Sequence, residues 1–205
     1  MAGRPKRSER PALEREAVPL GRPSARTGII KTAIELILEE GVEALTYERL
    51  AERAGLTKGG ILYHFPNREE LNGAIRDYVR QHYLAARQEA TAVLPPAPTR
   101  ALKGWAIASL HNRSRFDAVS AKLMTSGLWD SEEGRAHHVE RFGAISDGIG
   151  FDRAAVVYLA VEGLWFLELA GFSPFTPQER KRLVLLLLSL TDGSQSSLDG
   201  GAGDD

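Results

Sequence analysis

The residue types that could do chemistry gather between Thr57 and His64, where the sequence reads TKGGILYH. Thr57 supplies a hydroxyl and Lys58 an ammonium, and Tyr63 and His64 can donate hydrogen bonds to phosphate oxygens or to base edges. If Thr57 and Lys58 begin a helix, its free N–H groups and its dipole also favour a phosphate. The cluster therefore predicts noncovalent binding to a nucleic acid.

Two adjacent glycines, Gly59 and Gly60, lie inside this short segment. Each glycine in a helix interior costs roughly 1 kcal/mol relative to alanine. Because glycine has no side chain, however, the helix backbone there can approach another surface very closely. A DNA backbone or base edge is a natural candidate for that surface.

The elements that must position the cluster form the pattern of a helix-turn-helix within residues 45–65. Thr46 can cap a short helix that Gly55 breaks, and Thr57 can cap a second one that ends near His64. Two short helices joined by a tight glycine turn are the layout in which the second helix enters the major groove of DNA.

The rest of the chain also has helical periodicity, with apolar residues at steps of three and four over 28–40 and in a long fourth helix from Asn67. No segment alternates convincingly with period two, so we expect an all-α fold. Further helices are predicted near 100–112, 114–126, 132–148, 152–171 and 176–190.

Composition and motifs argue against an enzyme. The chain has 205 residues and no cysteine, which excludes disulfides, thiolate metal sites and cysteine nucleophiles. It has no P-loop, dinucleotide-binding, H-E-x-x-H or G-x-S-x-G motif. The adjacent His137 and His138 would point about 100° apart on a helix and not converge on a metal, and Glu140 and Arg141 indicate a solvated face. We expect no cofactor and no metal.

The charge is unevenly distributed, because residues 1–91 hold 15 Lys/Arg against 13 Asp/Glu and residues 92–205 hold 11 against 14. The first 23 residues are basic and proline-rich, and we expect them to be disordered. They contain Gly3-Arg4-Pro5 and Gly21-Arg22-Pro23, a motif that can lie in a narrow minor groove. A floating tail that adds nonspecific phosphate attraction is the simpler interpretation.

Two apolar stretches, Leu183–Leu190 and Ala154–Phe172, are interpreted as buried helices and not as membrane spans. The first is too short to cross a bilayer, and the second carries two glutamates. The N-terminus has no apolar region typical of a secretory signal. We expect no membrane partner and a cytoplasmic location.

The stretch from Thr46 to Leu71, which includes AERAGLTKGGILYHFPNREEL, resembles the signature of the TetR family of transcriptional regulators. The resemblance covers roughly residues 25–85. Many members have Thr or Asn where Gly60 stands and Tyr where Leu62 stands, so a base-reading side chain is missing at position 60. The resemblance implies DNA contacts from Thr46, Thr57, Lys58, Gly59, Gly60, Tyr63, His64 and Arg68.

Some of these residues have a second interpretation as structural residues. Tyr63 fits a core position as well as a DNA contact, Phe65 fits the core better, and His64 could serve as a structural hydrogen-bonding group. The remaining apolar residues of the motif are expected only to pack. They are Leu50, Ala51, Ala54, Leu56 and Ile61.

The second half is rich in aromatic residues, and a bundle lined by them could hold a largely apolar small-molecule effector. Glu162 would lie in an apolar stripe there, where it could anchor a ligand, pair with an arginine or lie at a subunit rim. Aromatic residues at helical spacing are nevertheless usually core. The candidate ligand-binding residues are Trp105, Met124, Trp129, Phe142, Tyr158, Glu162, Trp165 and Phe166.

The last two predicted helices are apolar on more than one face, which indicates a partner surface. The resemblance implies a homodimer through these helices. Two recognition helices would then meet successive major-groove faces of a palindromic double-stranded operator. We hypothesise that a small molecule bound in the bundle shifts the fourth helix and releases the DNA. Repression is the family default. A ligand-independent architectural DNA-binding protein on the same scaffold is the alternative.

The predicted organisation is an N-terminal three-helix helix-turn-helix domain followed by a C-terminal helical bundle. The segments are a basic arm at 1–23, the DNA-binding domain with its connecting fourth helix at 24–91, the ligand-binding and dimerisation domain at 92–190, and an acidic, disordered tail at 191–205.

Overall fold

The computed structural model describes residues 24–111, 114–127, 131–147 and 149–192. Within these ranges the chain forms nine α-helices, one short 3₁₀ turn at Val42–Ala44 and no strand, as the periodicity predicts. The predicted arm, most of the predicted tail and Trp129 lie outside the described residues. The helices are α1 Ala25–Glu40, α2 Tyr47–Ala54, α3 Lys58–His64, α4 Arg68–Ala92, α5 Arg100–His111, α6 Arg115–Thr125, α7 Ser131–Ser146, α8 Phe151–Leu169 and α9 Pro177–Leu190.

Helices α2, α3 and α4 begin where the sequence places capping residues. The side chains of Thr46, Thr57 and Asn67 each accept a hydrogen bond from the backbone N–H three residues later, at 3.2, 3.0 and 2.9 Å. These bonds satisfy N–H groups that the first helical turn leaves without a partner. Gly55 then ends α2 in the left-handed conformation, at φ +66°, which a residue with a side chain adopts only at a cost.

A first hydrophobic core joins α1–α4. It contains the predicted stripe of α1 and, from the helix-turn-helix, Leu50, Ile61 and Phe65, all fully buried. Helix α6 also enters this core through Phe116 and Val119. Because α6 lies far along the chain, it ties the second half of the molecule to the helix-turn-helix.

A second core lies between α5, α8 and α9, with Ile145 of α7 at its edge. Trp105 is buried at its centre and stacks on Tyr158, with ring centroids 5.0 Å apart. Helix α5 also crosses α4 closely, since a Cβ at Gly104 would lie 2.0 Å from Thr91 Oγ1. The α4–α5 crossing therefore requires glycine at position 104.

Two expectations about burial were wrong. Leu56 was expected to pack, but it sits in the turn between α2 and α3 and leaves 42% of its surface exposed. Within Leu183–Leu190, Leu185 and Leu186 are exposed, because only one side of α9 packs on the second core. None of the described helices is long and apolar enough to span a bilayer.

Candidate functional site

The helix-turn-helix is held rigid from inside. Leu50 of α2 and Ile61 of α3 are both fully buried in the first core. The Tyr47 hydroxyl donates a hydrogen bond to the Phe65 carbonyl oxygen at 3.2 Å, which fixes the start of α2 to the end of α3. With its inner side fixed in this way, α3 can present only its opposite side to a partner.

The outer face of α3 consists of Thr57, Lys58, Gly59 and Tyr63, all of which are exposed. Tyr63 leaves 83% of its surface in solvent, so the structure supports its interpretation as a contact residue over that as a core aromatic. Its ring packs edge-on against His64, with centroids 5.1 Å apart. His64 is half-buried, which suits a supporting role behind Tyr63.

Neither glycine of α3 is explained by the protein's own interior. Gly59 and Gly60 have ordinary helical backbone conformations and are absent from the residues with positive φ. The nearest atom to a Cβ at Gly59 would be 3.9 Å away, and at Gly60 it would be 3.4 Å away, both on Thr57. An alanine would therefore fit at either position, so packing within the described chain does not require glycine there.

Lys58 has a partner that sequence reasoning missed. Its ammonium donates a hydrogen bond to Glu48 Oε1 at 2.6 Å, with both side chains exposed. This hydrogen bond and the charge of Lys58 hold the pKa of Glu48 below its usual value. The two residues are ten positions apart, on different helices, so only the α2–α3 crossing brings them together. A phosphate that binds Lys58 must compete with Glu48.

Thr46 and Arg68, the remaining residues of the predicted set, flank α3 at the starts of α2 and α4 and are both exposed. Across the described ranges no hydrogen bond or ion pair holds the Arg68 side chain. The structure thus places the predicted residues on and around one short helix, with His64 as the least accessible side chain among them.

A second site is the cavity of about 80 Å³ that α4, α5, α6, α7 and α8 enclose. The aromatic residues of the second half predict a largely apolar lining, but the lining of this cavity carries several charged side chains. Apolar lining comes from Ala86, Ala108, Met124, Val161 and Trp165. The charged residues of the lining are Arg80, Arg87, Arg141, Asp117 and Glu162.

The α6 side of this cavity is closed by a buried hydrogen-bond network. Asp117 Oδ1 accepts hydrogen bonds from the Tyr83 hydroxyl at 3.0 Å and from Trp165 Nε1 at 2.8 Å, and Oδ2 accepts one from the Ser114 N–H. Ser120 Oγ lies 3.2 Å from the same tyrosine hydroxyl. The acceptors and donors on this side therefore satisfy each other.

Helix α7 forms the opposite wall, where the sequence predicts a solvated face. That prediction was wrong for Arg141, whose side chain is only 13% exposed and pairs with Glu162 at 2.6 Å. His137 and His138 also line the cavity. Burial, reinforced by Arg141, lowers the pKa of His137 to about 4 and also lowers that of His138, so both rings are neutral at pH 7. His138 and His137 precede Arg141 by three and four residues, so the three side chains share one face of α7. This spacing was the signal in the sequence that could have grouped them.

Two family models match the chain. "Bacterial regulatory proteins, tetR family" matches residues 29–75, and "Tetracyclin repressor-like, C-terminal domain" matches residues 99–192. The first covers the helix-turn-helix with the start of α4, and the second covers the helices around the cavity. The chain belongs to the TetR family. Membership places it among transcriptional regulators and not among enzymes.

Curated relatives of this TetR-family chain match over its N-terminal part. The class C tetracycline repressor protein of Escherichia coli is 40% identical over 52 residues, which are 25% of this chain and 24% of that protein. An HTH-type transcriptional repressor of Mycobacterium tuberculosis is 31% identical over 70 residues, 34% of this chain and 37% of that protein. The chain thus matches well under half the length of these relatives.

A solved structure extends the likeness to the whole TetR fold. The putative TetR-family regulator from Rhodococcus sp. superposes with a TM-score of 0.64 at 20% identity, over 83% of this chain and 98% of that one. At this identity the likeness shows a common fold and nothing finer about ligands or operators.

The candidate ligand residues of this TetR-family chain lie in three different environments. Met124, Glu162 and Trp165 line the cavity, and Glu162 has the arginine partner that was one of its three possible roles. Trp105 and Tyr158 stack behind the wall, and Phe142 packs on Tyr158 with ring centroids 5.4 Å apart. Phe166, in contrast, is 57% exposed on α8 and does not reach the cavity.

Proposed function

We propose that this chain is a ligand-responsive repressor that binds a palindromic operator as a homodimer and releases it when a small molecule occupies the α4–α8 cavity. The observation that carries the proposal is the outer face of α3. It is a row of exposed polar side chains and glycines on a helix whose inner side is locked into the core. Such a face suits major-groove binding.

The proposed DNA contacts divide into positioning and reading roles. Thr46 and Arg68 flank α3 and would bind phosphates, which fix the register of the protein on the duplex. Tyr63, with His64 behind it, would contact the backbone beside the groove. Thr57 and Lys58 would reach the groove or its flanking phosphates at the start of α3, where Gly59 and Gly60 allow a close backbone approach.

The proposed dimer surface is the uncovered side of α8 and α9. Isolated exposed apolar residues are ordinary, but several on two adjacent helices indicate a partner surface. A homodimer would set two α3 helices against successive major-groove faces of a palindrome. The exposed apolar residues on these helices include Val156, Leu159, Phe166, Leu185, Leu186 and Leu190.

Two helices would carry the response from the cavity to the DNA. Helix α4 lines the cavity and begins next to α3, so it is the first lever. Helix α6 is a second one, because it lines the cavity through Met124 while Lys122 Nζ donates to the carbonyl oxygens of Ile37 and Leu38 at 3.1 and 3.2 Å. A ligand that moves either helix therefore also moves the support of α3.

Selection of bound genomic fragments tests the proposed function. We expect the parent protein to enrich one shared palindromic site at fixed salt and the K58A variant to lose that enrichment. The R135A variant, which removes an exposed cation on α7 away from α3 and from the proposed dimer surface, should keep it. Enrichment without any sequence preference would instead indicate the architectural alternative. Unchanged enrichment by K58A would contradict the role of α3.

The E48Q variant is expected to bind the operator more tightly than the parent. It removes the anion that competes for Lys58 and leaves a side chain of similar shape. Because an exposed ion pair is weak, affinity should rise by no more than roughly 10-fold for the dimer, and stability should hardly change. Fluorescence anisotropy at fixed salt measures the effect.

The E52Q variant is the matched control, because Glu52 is an exposed carboxylate on the same helix that pairs with Arg49 and not with Lys58. If both variants raise the affinity equally, the gain comes from general charge removal and release of Lys58 is not its cause.

A further inference from the structure

Arg87 is the arginine of the cavity lining that forms no ion pair with the part of the chain that the structure describes. It projects from α4 into the lining, is partly buried, and makes no hydrogen bond or ion pair with any residue that the structure describes. Burial and the nearby positive charge of Arg141 lower its pKa to about 10, so the guanidinium is still protonated at pH 7. A buried charge without a partner is costly unless something else supplies one.

Around Arg87, some N–H groups of the lining have no hydrogen-bond acceptor within the described chain. Arg141 uses one nitrogen on Glu162, but its buried Nε has no hydrogen-bond partner in the described chain. The His137 ring likewise makes no hydrogen bond to a described residue. Asp117 is saturated on the opposite wall by Tyr83, Trp165 and Ser114. The open side of the cavity therefore offers donors to a molecule that brings its own acceptors.

The ion pairs of the lining point the same way. Arg141 pairs with Glu162 at 2.6 Å, and Arg80 lies 3.4 Å from Asp77, which is exposed to solvent. The two α7 histidines of the lining are neutral. Arg87 is thus the arginine of the lining that forms no ion pair with a carboxylate of the described chain.

We propose that the effector is a small organic carboxylate whose two oxygens accept hydrogen bonds from the Arg87 guanidinium. This inference rests on the proposed function, in which the molecule bound in the cavity is the effector. A guanidinium presents parallel N–H groups that match a carboxylate in a bidentate pair. The neutral His137 ring lies beside it, and Met124, Val161 and Trp165 suit an apolar body.

Because Arg87 is a single guanidinium without an ion pair in the described chain, the cavity favours a carboxylate over a phosphate monoester. A monoester carries about −1.5 to −2 at pH 7 and would leave excess negative charge in a partly buried cavity. A carboxylate carries −1 and neutralises Arg87.

Calorimetric titration of the full chain with matched acid and amide probes tests the proposal. The probes are benzoate with benzamide, phenylacetate with phenylacetamide, and hexanoate with hexanamide, with phenyl phosphate as the phosphate arm. Because a hydrogen bond to a charged group contributes about 1.5–3 kcal/mol, we expect at least one acid to bind roughly 10- to 100-fold more tightly than its amide. The R87M variant should lose this preference, and R87Q provides a second neutral variant if R87M does not fold.

The R135M variant is the matched control, since it removes an exposed arginine of α7 outside the cavity and should keep the preference. The proposal is overturned if no acid binds better than its amide, if the preference survives in both Arg87 variants, or if phenyl phosphate binds more tightly than every acid.

Operator binding measured on the same samples separates this proposal from the proposed function. If an acid binds through Arg87 but does not release the operator, the carboxylate site stands, whereas the role of the acid as effector and the proposed ligand response are contradicted. If the operator binds normally and no acid is preferred, the DNA-binding function stands and the carboxylate proposal is contradicted.

Discussion

The Y63A variant is expected to bind the operator about 10²- to 10⁴-fold more weakly than the parent, because each protomer loses a hydrogen bond to a charged phosphate that contributes about 1.5–3 kcal/mol. Stability should hardly change. The side chain is 83% exposed, and among described residues its ring contact is with His64. Removing it therefore creates no cavity, and the melting temperature is expected to shift by no more than about 1–2 °C.

Anisotropy titrations at a fixed salt concentration measure the affinity loss, and thermal unfolding measures the stability. The Y63F variant keeps the ring and removes only the hydroxyl, so it should show most of the loss if the hydroxyl donates to phosphate. Normal operator affinity in Y63A would remove Tyr63 from the DNA interface, whereas a large fall in melting temperature would show a structural role instead.

The helices could be predicted from the sequence because local residues determine where they begin and end. Thr46, Thr57 and Asn67 each bind a backbone N–H three positions later, and such bonds form within one turn whatever the rest of the chain does. The buried stripe of α1 follows equally from the spacing of its isoleucines. These local signals also located the helix-turn-helix and hence the outer face of α3.

The cavity could not be predicted in the same way. Periodicity indicates which residues share a helix face, but it does not tell which neighbour covers that face. Arg80 and Arg87 are seven residues apart on α4, and they line a cavity only because α7 packs opposite them and adds Arg141. In the sequence alone, a charged helix face predicts exposure to solvent. The prediction for Arg141 was wrong for this reason, because the side chain is mostly buried in the cavity wall. The Lys58–Glu48 pair likewise depends on a crossing of two helices.

Gly104 is the position where a side chain would do most damage to the second half of the fold. It lies on α5 where this helix crosses α4, and its missing Cβ would be 2.0 Å from Thr91 Oγ1 and 3.0 Å from Thr91 Cα. Rotation of the threonine could relieve the first contact but not the second, which involves backbone. A larger residue must therefore push the two helices apart. The same helices carry Arg87 and Ala108 into the cavity lining, so the cavity would also deform.

The G104V variant is accordingly expected to lose about 2–3 kcal/mol of folding free energy. Overpacked cores typically lose about 1–3 kcal/mol, and the gain in helix propensity from glycine to valine is only a few tenths of a kcal/mol. In a chain of this size that loss lowers the melting temperature by roughly 4–12 °C. Denaturant unfolding of the parent, G104V, T91A and the double variant measures it.

The double variant tests the cause, because T91A removes the hydroxyl that a Cβ at position 104 would meet first and should recover part of the loss, while the contact with the Thr91 backbone remains. Gly143 gives a control of opposite sign: it lies inside α7 with no atom within 4 Å of its would-be Cβ, so G143A should stabilise the fold by about 1 kcal/mol. If G104V were as stable as the parent, or if T91A recovered nothing, close packing of α4 on α5 would not be the reason for glycine at this crossing.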